Sequence, residues 1–305
     1  MNFIERTSAI LGISPQKTTE LFSIQHKSSL RFNTLKPLET AQNIITENPK
    51  DFTKINWCEN AYIIEGNKSN YTGSEFFKNG NFYIQNASSY LPVIILDAKP
   101  QDVILDMCAA PGGKTIHIAD MAENKSFIYV NDENKQRLNT LKKLTQIYGA
   151  EILYFFNMPA QFINKHTEQK FDKILLDAPC SGEGMINLQD SEPLKYWSEN
   201  KIKRLSKLQK QLIDTAYKLL TKNGVLVYST CTLAPEENEE IISDVLQKYD
   251  DLKVEDISNA FKLDNLRAGL ASFNGKRYDS QLEKAIRVVP NSYMEAFFVC
   301  KLVKS

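Results

Sequence analysis

From about residue 91 onward, short apolar segments alternate with amphipathic segments of helical spacing. The strand candidates are residues 103–107, 127–131, 152–156, 173–177 and 225–229, and the helix candidates are residues 114–121, 135–148 and 199–220. This alternation is typical of an α/β fold in which a mostly parallel, doubly wound sheet carries helices on both faces. Ligands bind to such sheets where strands end and helices begin, so we expect functional residues directly after the strands.

The parts of the chain on either side of this region predict smaller units. The segments before it predict a helical cap over residues 1–30, an extended piece over 30–36, a helix over 37–48 and short strands with turns over 52–86. We therefore predict a small α+β lead domain at residues 1–90 and a Rossmann-like domain at residues 91–305. Residues 286–289 and 296–302 predict an antiparallel edge, whereas residues 259–284 predict a loop or mobile segment.

Composition excludes several classes of protein. No apolar run approaches the roughly 18 residues of a membrane span, and the amino terminus lacks the order of a signal peptide, so we expect a cytoplasmic protein. The five cysteines contain no C-x-x-C pair and the three histidines are scattered, which predicts neither disulfides nor a metal site. Because Lys plus Arg and Asp plus Glu number 37 each, nucleic-acid binding must use local patches.

Residues 106–115, which read DMCAAPGGKT, follow the first strand of this domain and open a helix. Small residues permit a ligand to approach the backbone closely, and the N–H groups at a helix start favour an anionic group. The ending GKT at 113–115 resembles a phosphate-binding P-loop. That pattern requires glycine where Cys108 stands, however, and Pro111 removes a backbone donor, so a nucleotide triphosphatase is disfavoured.

An acid, Asp132, lies just past the second strand, about twenty residues beyond the glycine loop. An acid at this place accepts hydrogen bonds from the hydroxyl groups of a ribose. The alternative is an ordinary solvated acid or helix cap before Lys135. Together, the loop and the acid favour a cofactor that carries adenosine.

Two cysteines follow the fourth and fifth strands. Cys180 lies in the segment DAPCSGEG at 177–184, and Cys231 lies in YSTCT at 228–232. One cysteine at a strand end is more often a small buried apolar residue than a nucleophile. Two at the ends of neighbouring parallel strands indicate a site. After Cys231, Pro235 and the acids that follow it predict the first turn of a helix that runs to about residue 248.

These segments resemble the Sun family of S-adenosylmethionine-dependent RNA cytosine-5 methyltransferases, and most closely its bacterial 16S ribosomal RNA branch. Further family-like segments are residues 31–36, 85–89 and 297–299. The resemblance implies that Cys231 is the nucleophile, that Cys180 assists product release and that Asp177 meets both cofactor and base. It also implies that S-adenosylmethionine is bound by Cys108, Ala109, Ala110, Pro111, Gly112, Gly113, Lys114, Asp132 and Asp177.

A thiolate that adds to carbon-6 of cytosine makes carbon-5 nucleophilic, so the chemistry requires an activated cysteine. Lys114 and the helix start near Pro235 are candidates to lower the pKa of the Cys231 thiol.

DNA cytosine methyltransferases use a Pro-Cys thiol together with a Glu-Asn-Val motif, and this motif is missing from the sequence. Two segments depart from the family. Asn157 and Met158 stand where an acid is usual, and Asn291 and Glu295-Ala296 stand where His and Asp-Gly usually precede the final strand.

The implied partner is ribosomal or transfer RNA, bound by a protein that we expect to be a monomer. The basic candidates for RNA contact are Arg31, Lys36, Lys201, Lys203, Arg204, Lys207 and Lys210, the last five of which share a helix. The alternative for that helix is an ordinary solvated face. Cys58, Cys300 and His117 are assigned to the core. The competing hypothesis is a ribosome-assembly or RNA-binding protein that keeps the cofactor pocket without turnover.

Overall fold

The computed structural model describes residues 2–305, without the side chains of residues 39–41. Two helices, α1 (Phe3–Leu11) and α2 (Pro15–Leu21), open the chain. The side chain of Asn2 caps α1 by accepting a hydrogen bond from the backbone of Glu5. Both helices pack their apolar faces against the loops that follow the thiols. They therefore form part of the surroundings of the site, although they are distant from it in sequence.

A small antiparallel sheet follows, with the strand order β2-β3-β1-β4. Its strands are β1 (Ser29–Phe32), β2 (Phe52–Lys54), β3 (Ala61–Ile64) and β4 (Phe82–Gln85). The helices between them are α3 (Leu38–Glu47), α4 (Ser69–Thr72) and α5 (Glu75–Lys78). Leu30, Phe32 and Phe82 form the centre of a separate apolar core on this sheet. We propose that the boundary of this lead domain lies near residue 90, where the small sheet ends.

The rest of the chain forms one large sheet, which contains nine strands within residues 2–305. Its main path has the order β11-β14-β15-β9-β8-β5-β6-β7, and β10 pairs with β15. The strands are β5 (Val103–Asp106), β6 (Phe127–Asn131), β7 (Tyr154–Phe156), β8 (Phe171–Asp177), β9 (Leu220–Thr230), β10 (Leu252–Glu255), β11 (Leu266–Ala268), β14 (Ile286–Val288) and β15 (Phe297–Lys304). Strands β5 to β9 are parallel, whereas β15 runs antiparallel to β9. The predicted α/β fold with an antiparallel edge is confirmed.

Helices cover both faces of this sheet. They are α6 (Leu91–Leu96), α7 (Gly113–Met121), α8 (Lys135–Tyr148), α9 (Glu199–Leu219) and α10 (Glu239–Lys248). Two apolar cores lie between the helices and the sheet, and β8 and β9 contribute to both. The carboxyl ends of β5, β6, β8 and β9 consequently meet at one edge, supported from both sides. Within residues 2–305, no helix combines the length and the apolar character that a membrane span needs.

The helix predicted to start at Pro235 begins later. Residues Pro235–Glu237 form a short 3-10 turn, and α10 starts only at Glu239. Between them, the Asn238 side chain accepts a hydrogen bond from Thr230 Oγ1 and donates one to the Thr232 carbonyl. These bonds hold Asn238 outside helical geometry, at φ −121° and ψ −95°. The prediction was wrong here because hydrogen bonds to Thr230 and Thr232, which lie before the turn, determine its backbone.

Residues 259–284 contain more regular structure than the predicted loop. They include β11 and a two-stranded hairpin of β12 (Ser272–Phe273) and β13 (Lys276–Arg277). A 3-10 turn, Ser280–Lys284, leads into β14. These short pieces pair with neighbouring chain segments, a contribution that the polar local sequence does not indicate.

Candidate active site

A cavity of about 230 Å³ lies at the carboxyl edge of β5, β6 and β8, and we call it the thiol cavity. Its lining includes Cys108, Asp132, Asp177, Cys180 and Cys231, and further residues are Ala110, Asn131, Glu133, Arg137, Ala160, Gln161, Ala178, Pro179, Leu208 and Leu212. A second cavity of about 190 Å³, the loop cavity, is lined by residues 108–114 and by β4. The two cavities share Cys108, Ala110 and Asp177, so they form one continuous region.

The two predicted thiols lie side by side. Cys180 Sγ and Cys231 Sγ are 3.2 Å apart. Strands β8 and β9 are parallel neighbours with Asp177 level with Ser229, which brings the loops after both strands together. The hydrogen bond to Cys231 and burial raise the pKa of Cys180 well above its ordinary value. Cys180 therefore remains a protonated thiol at neutral pH and is able to donate a proton.

A cation lies beside the thiols. Lys114 Nζ is 2.7 Å from Asp177 Oδ2, and Ser229 Oγ donates to Asp177 Oδ1 over 2.7 Å. Burial opposes the charged form of Lys114, but the charges of Asp177, then Cys231, outweigh it and raise the pKa of Lys114. The ammonium group therefore stays charged. The predicted role of Lys114 in activating the nucleophile stays a prediction.

The glycines of the loop are required for packing within the protein. A Cβ on Gly112, where φ is +119°, would lie 2.5 Å from Leu141 Cδ1 on α8. A Cβ on Gly113 would lie 2.5 Å from Tyr83 Cε1 on β4. Gly113 thus allows the lead domain to contact the start of α7. The sequence assigned these small residues to close ligand approach, which stays a prediction, and the structure shows that they also admit Leu141 and Tyr83.

Asp132, the acid after β6, lines the thiol cavity. Its Oδ1 accepts a hydrogen bond from the Asn134 backbone over 2.9 Å, and its Oδ2 is 3.4 Å from Arg137 Nη1. The carboxylate is buried at the rim of an apolar wall, which suits a ribose next to an aromatic base. Asn157 donates to the backbone carbonyls of Asp132 and Glu133 over 2.8 and 3.1 Å. Asn157 thus supports the loop from outside, and Gln161 lines the cavity instead.

Asp106 is a site residue that the sequence did not single out. It ends β5, is almost fully buried and lines the loop cavity. Thr115 Oγ1 donates to its Oδ2 over 2.6 Å, yet burial raises the pKa of Asp106 to about 7. Its place as the last residue of the first parallel strand was the available signal.

The Glu237 side chain connects the loop that carries Cys231 to the loop that carries Cys180. Its Oε1 accepts hydrogen bonds from the Ser181 backbone over 2.9 Å and from Gln209 Nε2 over 3.0 Å. Gln209 also donates to the Pro179 carbonyl over 2.9 Å. Burial raises the pKa of Glu237 to about 7, although Ser181 and Gln209 act in the opposite direction. The sequence placed Glu237 in the first turn of a helix, whereas it lies fully buried in a 3-10 turn.

A second buried acid, Glu183, completes this support. Its Oε2 accepts a hydrogen bond from Thr232 Oγ1 and its Oε1 accepts one from Trp197 Nε1, both over 2.9 Å. Thr232 follows Cys231 directly, and Ser181 Oγ lies 2.9 Å from Thr232 Oγ1. The loops that carry Cys180 and Cys231 are therefore held together by side chains as well as by neighbouring strands.

Glu295, which departs from the family pattern, lies near this region. Its backbone N–H donates to Asn86 Oδ1 over 3.1 Å, and its carbonyl accepts a bond from Ser88 Oγ over 2.7 Å. Burial raises the pKa of Glu295 to about 7, although the charge of Lys114 acts to lower it. The position thus adds a carboxyl group to those of Asp177 and Asp106 in the surroundings of Lys114.

The basic residues proposed for RNA contact divide into two groups. The first group is buried, partly buried or bonded within the protein, and it includes Lys36, which is partly buried. Arg31 was wrongly assigned, because it is buried and pairs with Asp120 between the two sheets. Lys201 donates to the Ser181 carbonyl over 2.8 Å, and Lys210 pairs with Glu240 and Asp244. The second group consists of residues that are exposed and that form no ion pair within the described part of the chain; these are Lys203, Arg204 and Lys207.

The three residues that the sequence assigned to the core are buried. Cys58 and Cys300 are buried in apolar cores, and burial raises the pKa of Cys58 to about 12. His117 is buried on α7, where its ring contacts Tyr90 edge to face. Within residues 2–305, no cluster of three or more Asp, Glu, His or Cys side chains is arranged to hold a metal ion.

The sheet order, the loop between β5 and α7 and the acid after β6 define a Rossmann-like methyltransferase. More narrowly, the chain belongs to the family described as 16S rRNA methyltransferase RsmB/F, whose family model matches residues 93–303. Residues 1–87 match the family described as the N-terminal domain of 16S rRNA methyltransferase RsmF. The resemblance inferred from the sequence motifs is confirmed.

Two relatives and one crystal structure indicate how closely the chain resembles known proteins. The chain is 36% identical over 280 residues to a tRNA (cytosine(49)-C(5))-methyltransferase of Pyrococcus abyssi, which covers 91% of this chain and 88% of the relative. It is 36% identical over 287 residues to ribosomal RNA small subunit methyltransferase F of Shewanella loihica, covering 91% of this chain but 56% of the relative. The chain thus spans just over half the length of that second relative. A methyltransferase homologue of Pyrococcus horikoshii has a TM-score of 0.78 and 27% identity over 100% of both chains.

Proposed function

We propose that this protein transfers a methyl group from S-adenosylmethionine to carbon-5 of a cytosine in ribosomal or transfer RNA. The observation that carries the proposal is the pair of sulfur atoms, 3.2 Å apart, beside the Lys114–Asp177 ion pair in the thiol cavity. The names of the relatives support it, since one acts on a cytosine of transfer RNA and another on small-subunit ribosomal RNA.

The residues around the two cavities fit S-adenosylmethionine. The buried Asp132 carboxylate suits the ribose hydroxyls, and the apolar wall of Ala160, Pro179, Leu208 and Leu212 suits the adenine. The loop from Cys108 to Lys114 and the end of β8 at Asp177 line the region that would hold the methionine portion. When bound, this cofactor supplies an electrophilic methyl group.

In the proposed reaction, the Cys231 thiolate forms a bond to carbon-6 of cytosine, which moves electron density to carbon-5. Lys114 stabilises the thiolate before attack by its positive charge. The Asp177 carboxylate, held by Lys114 and Ser229, accepts a hydrogen bond from the exocyclic amine of the base and orients it. After methylation, carbon-5 gives its proton to a water molecule, and the bond from sulfur to carbon-6 breaks as the double bond between carbon-5 and carbon-6 forms again. Cys180, a protonated thiol beside Cys231, protonates the departing sulfur and regains a proton from water.

The test is transfer of a labelled methyl group from S-adenosylmethionine to unmodified ribosomal and transfer RNA by the purified wild-type protein. We expect labelled 5-methylcytosine in one of these RNAs. Bisulfite sequencing of RNA from cells with and without the gene identifies the cytosine. Calorimetry with S-adenosylmethionine provides the control, because cofactor binding without transfer to either RNA would favour the RNA-binding or assembly protein and contradict catalysis.

A further inference from the structure

Large apolar side chains are exposed on the loop of residues 185–197, between the Cys180 loop and α9. Tyr196 is 76% exposed and Met185 is 61% exposed, and Leu194 is exposed as well. Single exposed apolar residues are normal on a protein surface, but several on one loop beside a cavity indicate a binding surface. We call residues 185–197 the platform loop.

The platform loop is held firmly against the site. Met185 Cε lies 3.0 Å from the position that a Cβ on Gly182 would occupy, two residues after Cys180. At the other end, Trp197 Nε1 donates to Glu183, which also accepts a bond from Thr232 beside Cys231. In the middle, the Leu188 backbone donates to the Phe22 carbonyl over 2.7 Å. These contacts fix the backbone of the loop, so Tyr196 and Met185 are held in exposed positions.

Positive charge lies along the start of α9, directly after this loop. Lys201 contacts the Cys180 loop through the Ser181 carbonyl, and the next turn presents Lys203, Arg204 and Lys207 to solvent. From Lys201 to Lys207 the helix axis advances about 9 Å. Within residues 2–305 these three exposed cations form no ion pair. The adjoining Lys195, in contrast, pairs with Glu192 over 2.6 Å.

We propose that Tyr196 stacks against an unpaired nucleotide next to the target cytosine, and that Lys203, Arg204 and Lys207 bind phosphates of the same RNA strand. The inference rests on the proposed function and adds the path of the RNA. Single-stranded nucleic acids are bound by aromatic rings that stack on bases and by cations that follow the backbone. Every nucleotide of RNA carries a phosphate that can neutralise one of the three cations, whereas a protein surface does so only where it carries acidic residues. The charge of this surface therefore favours RNA.

The first experiment compares the wild type with Tyr196→Ala and Tyr196→Phe in steady-state methylation of a single-stranded RNA that contains the target cytosine. Tyr196→Ala should raise KM for this RNA about tenfold, as expected when one base loses its stacking partner, while kcat stays unchanged. Tyr196→Phe keeps the ring and should restore the wild-type KM. Tyr154→Ala is the matched control, because Tyr154 is 52% exposed on the outer strand β7, away from the thiols.

The second experiment measures binding of a fluorescent oligocytidylate RNA at several salt concentrations. Replacement of Lys203, Arg204 and Lys207 by Gln should reduce the slope of log K against log salt by about 2, since each phosphate contact on a single strand contributes about 0.7. One outcome is that the wild type methylates RNA but the Tyr196 variants keep its KM and the triple Gln variant keeps its salt slope. In that case the proposed RNA path over Tyr196 and α9 is wrong, and the proposed function stands. If the wild type transfers no methyl group yet the variants lose oligocytidylate binding, the surface stands and the proposed function fails.

Discussion

Cys180 and Cys231 occupy equivalent places after neighbouring parallel strands, but their surroundings differ. Acids act on Cys180, since Glu237 and Asp177 add to the effects of Cys231 and burial that raise its pKa. Cys231 instead interacts with the charged Lys114 ammonium group. Strand position brings the thiols together, whereas the charge beside each one suits it to a different task. A cation favours the attacking thiolate, and acids favour a thiol that keeps its proton.

The largest expected effect is on the nucleophile. Cys231→Ser should lower the rate of methyl transfer by at least about a thousandfold, because a serine hydroxyl is a far weaker nucleophile toward carbon-6. The measurement is incorporation of labelled methyl groups under single-turnover conditions. Cys58→Ala is the control, since Cys58 lines neither the thiol cavity nor the loop cavity and its variant should keep the wild-type rate. Full activity of Cys231→Ser would reverse the assignment of the two thiols.

Cys180→Ser should separate attack from release. Attack by Cys231 remains possible, but elimination slows, so the multiple-turnover rate should fall by about a hundredfold, the range for loss of a general acid. Denaturing gel electrophoresis should then show a covalent protein–RNA complex. The double variant with Cys231→Ser should form no such complex. A Cys180→Ser protein that turns over normally without an adduct would remove the difference in role between the thiols.

Substitution of Lys114 tests whether its positive charge is what makes Cys231, and not Cys180, the attacking thiol. Lys114→Met removes the cation and should lower the single-turnover rate about tenfold, equivalent to a loss of about 1.4 kcal/mol in thiolate stabilisation. Lys114→Arg keeps the charge and should recover most of the rate. Calorimetry with S-adenosylmethionine separates an effect on the thiol from weaker cofactor binding. Equal rates for the Met and Arg variants would show that charge at this position does not activate Cys231.

Glu237 should have the smallest effect on rate and a clear effect on stability. The folded protein keeps a proton on Glu237 up to about pH 7, whereas the unfolded chain loses it near pH 4.5. The free energy of unfolding should therefore fall as the pH rises through this window, and Glu237→Gln should remove about 3 kcal/mol of that fall. Urea unfolding at pH 5 and pH 8 measures it. Glu168→Gln, on the exposed surface, should retain the pH dependence of the wild type.

Much of the fold was predictable because its signals are local. The alternation of apolar and amphipathic segments located the parallel strands, and the apolar ending located the antiparallel edge. Helix α10 was misplaced because Asn238 bonds to Thr230 and Thr232. The short strands of residues 259–284 were missed because each has only two or three residues, too few to show the alternation of apolar and polar side chains that marks a strand.

The sequence by itself determined which groups lie at the site, since strand ends carry Asp177, Cys180, Cys231 and the loop to Lys114 to one edge of the sheet. Only the tertiary structure decided how those groups are charged and supported. In the folded protein Arg31 is buried and pairs with Asp120, and Glu237 accepts a hydrogen bond from the Cys180 loop. Lys203, in contrast, is exposed to solvent. The physical reason is range: strand and helix patterns act over a few residues, whereas burial and electrostatic interactions depend on side chains far apart in the chain.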